Sequence, residues 1–114
     1  MKPVKINKSE ANVINLGTKK IHEYPLPTKL MSVAYMKVTG RHPQKGYLYE
    51  TDCAFCLYVT KGGGSIYADK KVFEVKVGDV IYIPTKTRFA CEGEMEYVTF
   101  DSPGFYPEQS KVVD

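Results

Sequence analysis

Nine glycines and seven prolines interrupt the 114 residues so often that no stretch is free to run as a long helix. The segments between them are short and rich in Val, Ile, Tyr, Phe and Thr, which predicts strands. The predicted strands are Val13–Leu16, Met31–Val38, Tyr47–Thr60, Ser65–Tyr67, Val72–Val77, Val80–Ile83, Arg88–Cys91 and Met95–Phe100. Phe73, Val75 and Val77 alternate with Glu74 and Lys76, the period of a strand buried on one side. Hairpin turns are expected at Lys61–Gly64, Ala68–Lys71 and Glu92–Glu94. Many short strands at close spacing predict an all-β sandwich or barrel.

Composition narrows the function classes. Sixteen Lys and Arg against thirteen Asp and Glu leave a net charge of +3, scattered along the chain, so no nucleic-acid surface is expected. The longest apolar run, Cys53–Val59, is far short of the ~20 residues of a membrane helix, so no membrane partner is expected either. Three cysteines are too few for a disulfide scaffold and fit a reducing cytoplasm. The length predicts one domain.

In the second half of the chain the residues resemble a known family. Tyr58-Val59-Thr60-Lys61-Gly62-Gly63-Gly64-Ser65-Ile66 is similar to the glycine turn that closes the first motif of the cupin superfamily. Gly78-Asp79-Val80-Ile81-Tyr82-Ile83-Pro84 resembles the Gly-Asp turn and proline-ended strand of the second motif. The resemblance extends from about residue 30 to residue 108. It implies a single-domain cupin, a jelly-roll-like double-stranded β-helix barrel with a cavity inside. The expected layout is an arm over residues 1–16, of the kind exchanged between copies in homodimeric cupins, a barrel over 17–102, and a strap over 103–114. A homodimer is expected.

Metal-dependent cupins carry two alternate histidines and a glutamate in the first motif and a histidine in the second. Aligned on Gly62, the glutamate position is Phe55. The two histidine positions are Tyr49 and Thr51 with one spacing, or Leu48 and Glu50 with the other, and the second-motif histidine is Phe89. Phenylalanine has no lone pair to give, so the resemblance implies neither metal nor other cofactor. Strand parity over Tyr47–Leu57 places Tyr47, Tyr49, Thr51, Cys53, Phe55 and Leu57 on the cavity face, and Glu50 and Asp52 on the solvated one. Phe89 and Cys91 join the cavity from the second motif, with Arg88 at the rim.

The expected ligand-binding set is therefore Tyr47, Tyr49, Thr51, Cys53, Phe55, Phe89, Cys91 and Arg88. Cys53 and Cys56, three apart on a strand, point to opposite faces and cannot converge. Cys53 and Cys91 are either small buried hydrophobes or a reactive, redox or metal-binding pair, His42 being a third candidate ligand. No inward histidine or carboxylate is expected. The first functional reading is a metal-free domain that binds a carbohydrate-like or aromatic small molecule in a sensor or accessory role. The second is an isomerase, epimerase or lyase acting on a sugar or related molecule, with or without an atypical metal site.

Overall fold

The computed structural model describes residues 2–114 and contains nine strands. They are β1 Asn12–Asn15, β2 Lys19–Tyr24, β3 Ser32–His42, β4 Tyr47–Glu50, β5 Ala54–Ala68, β6 Lys71–Lys76, β7 Val80–Ile83, β8 Arg88–Ser102 and β9 Ser110–Val113. Two 3-10 turns, Lys8–Glu10 and Pro107–Gln109, are the helical elements among the described residues. None is long and apolar enough to cross a membrane.

Every pairing is antiparallel. The spine is the pair β5 and β8, each 15 residues long. The free edge of β8 carries first β4 and then β3, and the free edge of β5 carries first β7 and then β6. β2 and β1 extend the sheet beyond β3, and β9 lies beyond β4. The chain thus curls a single sheet around a core that includes Val38, Leu57, Val59, Ile66, Ile83 and Met95.

Two expected hairpin turns are instead continuous strand. Lys61–Gly64 lies inside β5 and Glu92–Glu94 inside β8, where Gly63 pairs with Glu94 and Gly64 with Gly93. Glycine is required because the backbones almost touch: a methyl group at Gly62 would run into the carbonyl oxygen of Glu94. A bulge between Val59 and Lys61 reverses strand parity there. Phe55, Leu57 and Val59 are buried before it, Ile66 and Ala68 after it. The turn at Ala68–Lys71 does form, with Asp69 and Lys70 both left-handed at φ 47 and 66.

The strand predicted over Tyr47–Thr60 is broken by a bend at residues 51–53. Two strands escaped the sequence reading: β2, a lysine-bearing segment with few strong strand formers, and β9, only four residues long. The N-terminal arm pairs β1 with β2 of its own chain. The C-terminal strap is partly strand, with β9 running along β4.

Candidate functional site

The curled sheet shapes an open-mouthed cavity of about 790 Å³, within the size range of small-molecule sites. Its floor is apolar. Phe55 and Phe89 meet edge to face, 5.0 Å between ring centroids, and Leu48, Leu57, Ile66 and Ile83 complete it. Alternation explains these residues, since β5 presents 55 and 57 inward and β8 presents 89 and 91.

The polar wall comes from elsewhere. Lys19 opens β2, His42 ends β3, Glu50 ends β4, and Thr99 and Asp101 sit near the end of β8; all five line the cavity. Lys19, Glu50 and Asp101 are 7%, 8% and 8% exposed. The ligand atoms of Glu50, Cys53 and Asp101 lie within 4.8 Å of one another. Among the described residues the single ion pair is Lys61 with Glu96 on the outer surface, so Lys19 and Asp101 have no direct ionic partner.

Burial, with the charge of Glu50 added, pushes the Asp101 carboxyl up to about 7, and the nearby Lys19 ammonium only partly offsets it. Glu50 is also raised by burial, opposed by a hydrogen bond from Gln109 and by Lys19. His42 is lowered to about 4, by burial first and Lys19 second, so at neutral pH its ring is uncharged. The site therefore holds a proton that moves near pH 7, beside one cation and one neutral imidazole.

Gln109 is the residue that turns Glu50 inward. Its Nε2 donates to Glu50 Oε1 at 3.1 Å, and its Oε1 accepts the backbone N–H groups of Asp52 and Cys53 at 3.1 and 3.2 Å. Its backbone oxygen accepts the Thr51 N–H at 3.0 Å. Four contacts from one buried residue thus hold the bend at 51–53. That bend shifts parity so that β4 sends Leu48 and Glu50 inward while β5 resumes with Phe55.

The expected site residues therefore divide. Phe55, Phe89 and Cys91 line the cavity. Tyr47, Tyr49, Thr51, Cys53 and Arg88 do not: the bend puts Tyr47 and Tyr49 of β4 outside, Thr51 and Cys53 lie in the bend itself, and Arg88 alternates with the inward Phe89 on β8. Arg41 lies over Tyr47 at 5.3 Å, Arg88 over Tyr49 at 6.0 Å, and Arg88 Nε donates to the Asp114 carbonyl. Thr51 is engaged with Asp52 and Gln109. Cys53 is buried against the strap with its thiol toward the Gly104 carbonyl at 3.7 Å, and burial pushes it up to about 11, unsuited to nucleophilic work. Cys91 contacts the His42 carbonyl and the Tyr97 hydroxyl, each at 3.6 Å. All three cysteines are free. Asp52 is exposed as expected, whereas Glu50 is not, and the expectation of no inward histidine or carboxylate is overturned by His42, Glu50 and Asp101.

The sequence did carry a signal for Asp101. Met95, Tyr97 and Thr99 alternate inward, and extending the same period by one step reaches it. Ending that strand at Phe100 hid it.

With the bend in place, the spacing that puts the first-motif histidine positions at Leu48 and Glu50 is the one consistent with the facing. The four family positions are then Leu48, Glu50, Phe55 and Phe89, which offer a single donor among them. The nearby trio of Glu50, Cys53 and Asp101 is no replacement: Gln109 already donates to one Glu50 oxygen, the Cys53 thiol faces a carbonyl and is held protonated by burial, and Lys19 supplies the positive charge. The donor set does not fit the cupin metal.

No protein-family model and no curated protein matches the sequence. Solved structures do match in shape. A variant of Streptomyces Pac13 with uridine superposes with a TM-score of 0.90 at 21% identity, covering 99% of this chain and 92% of that one; Pac13 is described as a nucleoside dehydratase. KdgF from Halomonas gives 0.72 at 14% identity over 90% and 94% of the two chains. An RmlC-like cupin from Shewanella frigidimarina gives 0.68 at 15% identity over 83% and 86%. With its curled antiparallel sheet and open-mouthed cavity, this chain is a small domain of the cupin fold.

Proposed function

We propose that the chain is a metal-independent enzyme that moves protons on a small hydroxylated molecule held in the cavity, by isomerisation or by elimination of water. The observation that carries this is the convergence of Lys19, His42, Glu50 and Asp101 on one otherwise apolar space. Asp101 acts as general acid and base, because a carboxyl that titrates near 7 serves both roles at neutral pH. Glu50, its carboxylate within 4.8 Å, keeps that carboxyl raised by its charge. Lys19 stabilises negative charge developing on a substrate oxygen, and His42 offers a neutral hydrogen bond. The likeness to a nucleoside dehydratase supports a reaction of this class, with nucleosides and free sugars as the first candidates.

The test is to incubate the protein with nucleosides, aldoses and ketoses in deuterated water and follow deuterium incorporation or loss of water by mass spectrometry. An active compound should lose about 10²–10⁴-fold in rate with Asp101→Asn, the protein keeping its native circular dichroism. Saturable binding without turnover would overturn the enzyme reading in favour of a sensor or accessory domain.

The homodimer belongs to the same proposal. On the outer side of the spine, Tyr58, Val80, Tyr82 and Phe100 form an exposed apolar row, Tyr58 opposite Val80, and Tyr82 and Phe100 flanking Cys56 two positions along. A monomeric mass in light scattering across micromolar concentrations would refute pairing through this face.

A further inference from the structure

We infer that the cavity is built for an uncharged ligand and discriminates against the phosphorylated or carboxylated form of the same molecule. This rests on the cavity being the ligand site. Its deep wall carries one ammonium, Lys19, against two carboxylates, Glu50 and Asp101, all more than nine-tenths buried. Two further charged residues line the cavity, Glu23 and Lys29, and these cancel. The buried set is therefore neutral when the two carboxylates hold one proton between them and negative when they hold none.

An uncharged polyol or nucleoside suits this arrangement. Its hydroxyls donate to Asp101 and Glu50, a carbonyl or ring oxygen accepts from Lys19, and its ring lies against Phe55 and Phe89. Lys19 and Asp101 lack an ionic partner and are free to take these contacts. An anionic ligand would instead carry another negative charge into a space walled by apolar side chains, where charges interact strongly. The buried ammonium that could meet it, Lys19, already offsets two carboxylates, and the exposed Lys29 is balanced by Glu23.

The usual anion-binding devices are also missing from this cavity. Among the described residues no arginine lines it, and the two helical turns are three residues each, too short to offer an N-terminal anion site. The chain's arginines are engaged outside: Arg41 donates to the Pro43 and Gly46 carbonyls, and Arg88 to Asp114. The net charge of +3 is thus carried away from the site.

Calorimetric titration with matched pairs tests the inference: uridine against uridine 5′-monophosphate, and glucose against glucuronate and glucose 6-phosphate. The uncharged member of a pair should bind about tenfold or more tighter. At about pH 8.5, above the Asp101 value of about 7, where both native carboxylates are ionised, Asp101→Asn and Glu50→Gln, both near-isosteric, should each narrow the gap by strengthening the anionic member. Equal or tighter binding of the anion to the native protein overturns the inference while leaving the cavity as a ligand site. A gap unchanged in both variants overturns its electrostatic basis. Heat from no member of any pair brings down the ligand-site reading, and the inference with it.

Discussion

The stretch from Tyr47 to Ala68 changes parity twice, and the two places are built in different ways. At residues 60–64 the switch comes from a bulge and three consecutive glycines, where β5 passes so close to β8 that side chains have no room. At residues 51–53 no glycine or proline marks the switch, and Gln109, more than 50 positions away, holds it by side-chain and backbone hydrogen bonds. The first irregularity shapes the barrel and the second makes the site, because it brings Glu50 into the cavity beside Asp101. Steric irregularities leave a mark in local composition. Irregularities held by a distant hydrogen-bond donor and acceptor leave almost none.

The contrast can be broken from either side. The largest effect is expected at the glycine crossing. Gly62→Ala sets a methyl group against the Glu94 carbonyl at a left-handed φ of 71, and backbone strain with that clash should cost more than about 3 kcal/mol. A urea midpoint within error of the native one would show that the two strands can part without cost.

The next effect sharpens the electrostatics that the bend creates. Asp101 titrates at about 7 in the folded chain against an ordinary 3.8, so the native state binds the extra proton and this contribution to stability is lost as pH rises through that window. Glu50, raised in the same direction, adds to it. His42 titrates at about 4 against an ordinary 6.5, so its contribution has the opposite sign and is lost as pH falls. Between pH 4 and 6.5 the terms oppose each other, and native stability should change little from these groups. His42→Asn removes the opposing term, and stability should then fall by up to about 4 kcal/mol from pH 4 to 7 in urea titrations. A His42→Asn profile that rises with pH would contradict a raised Asp101.

The smallest effect is at the bend. Gln109→Ala leaves the N–H groups of Asp52 and Cys53 and one Glu50 oxygen without partners, which should cost about 1–3 kcal/mol. Because it also frees Glu50, activity should fall further than the same loss of stability would explain. A variant with native activity and reduced stability would show that the clamp serves the fold alone.

The resemblance to cupins was visible because its marks are local: the triple glycine, the Gly78-Asp79 turn and the proline after β7. In the structure Asp79 Oδ2 accepts the Lys76 N–H at 2.9 Å, and β7 runs over Val80–Ile83 as expected from the sequence. Phe55 and Phe89 were placed in the cavity by the motif alignment, and Cys91 by alternation from Phe89. Tyr47, Tyr49 and Thr51 were misplaced because the same alternation was carried through a bend that local composition does not announce. Lys19 was missed with its strand. Lys-Lys-Ile-His-Glu-Tyr has weak strand preference, and it is held in the sheet by pairing with β1 on one side and β3 on the other.

The sequence by itself determined an all-β cupin barrel, its apolar floor, and the loss of the usual metal ligands, because glycine turns, strand period and the absence of a lone pair on phenylalanine are properties of short segments. Only the tertiary structure decided that Lys19, His42, Glu50 and Asp101 share one cavity. They come from the start of β2 and from the ends of β3, β4 and β8, and what brings four strand termini together is the curl of the sheet and a glutamine near the end of the chain.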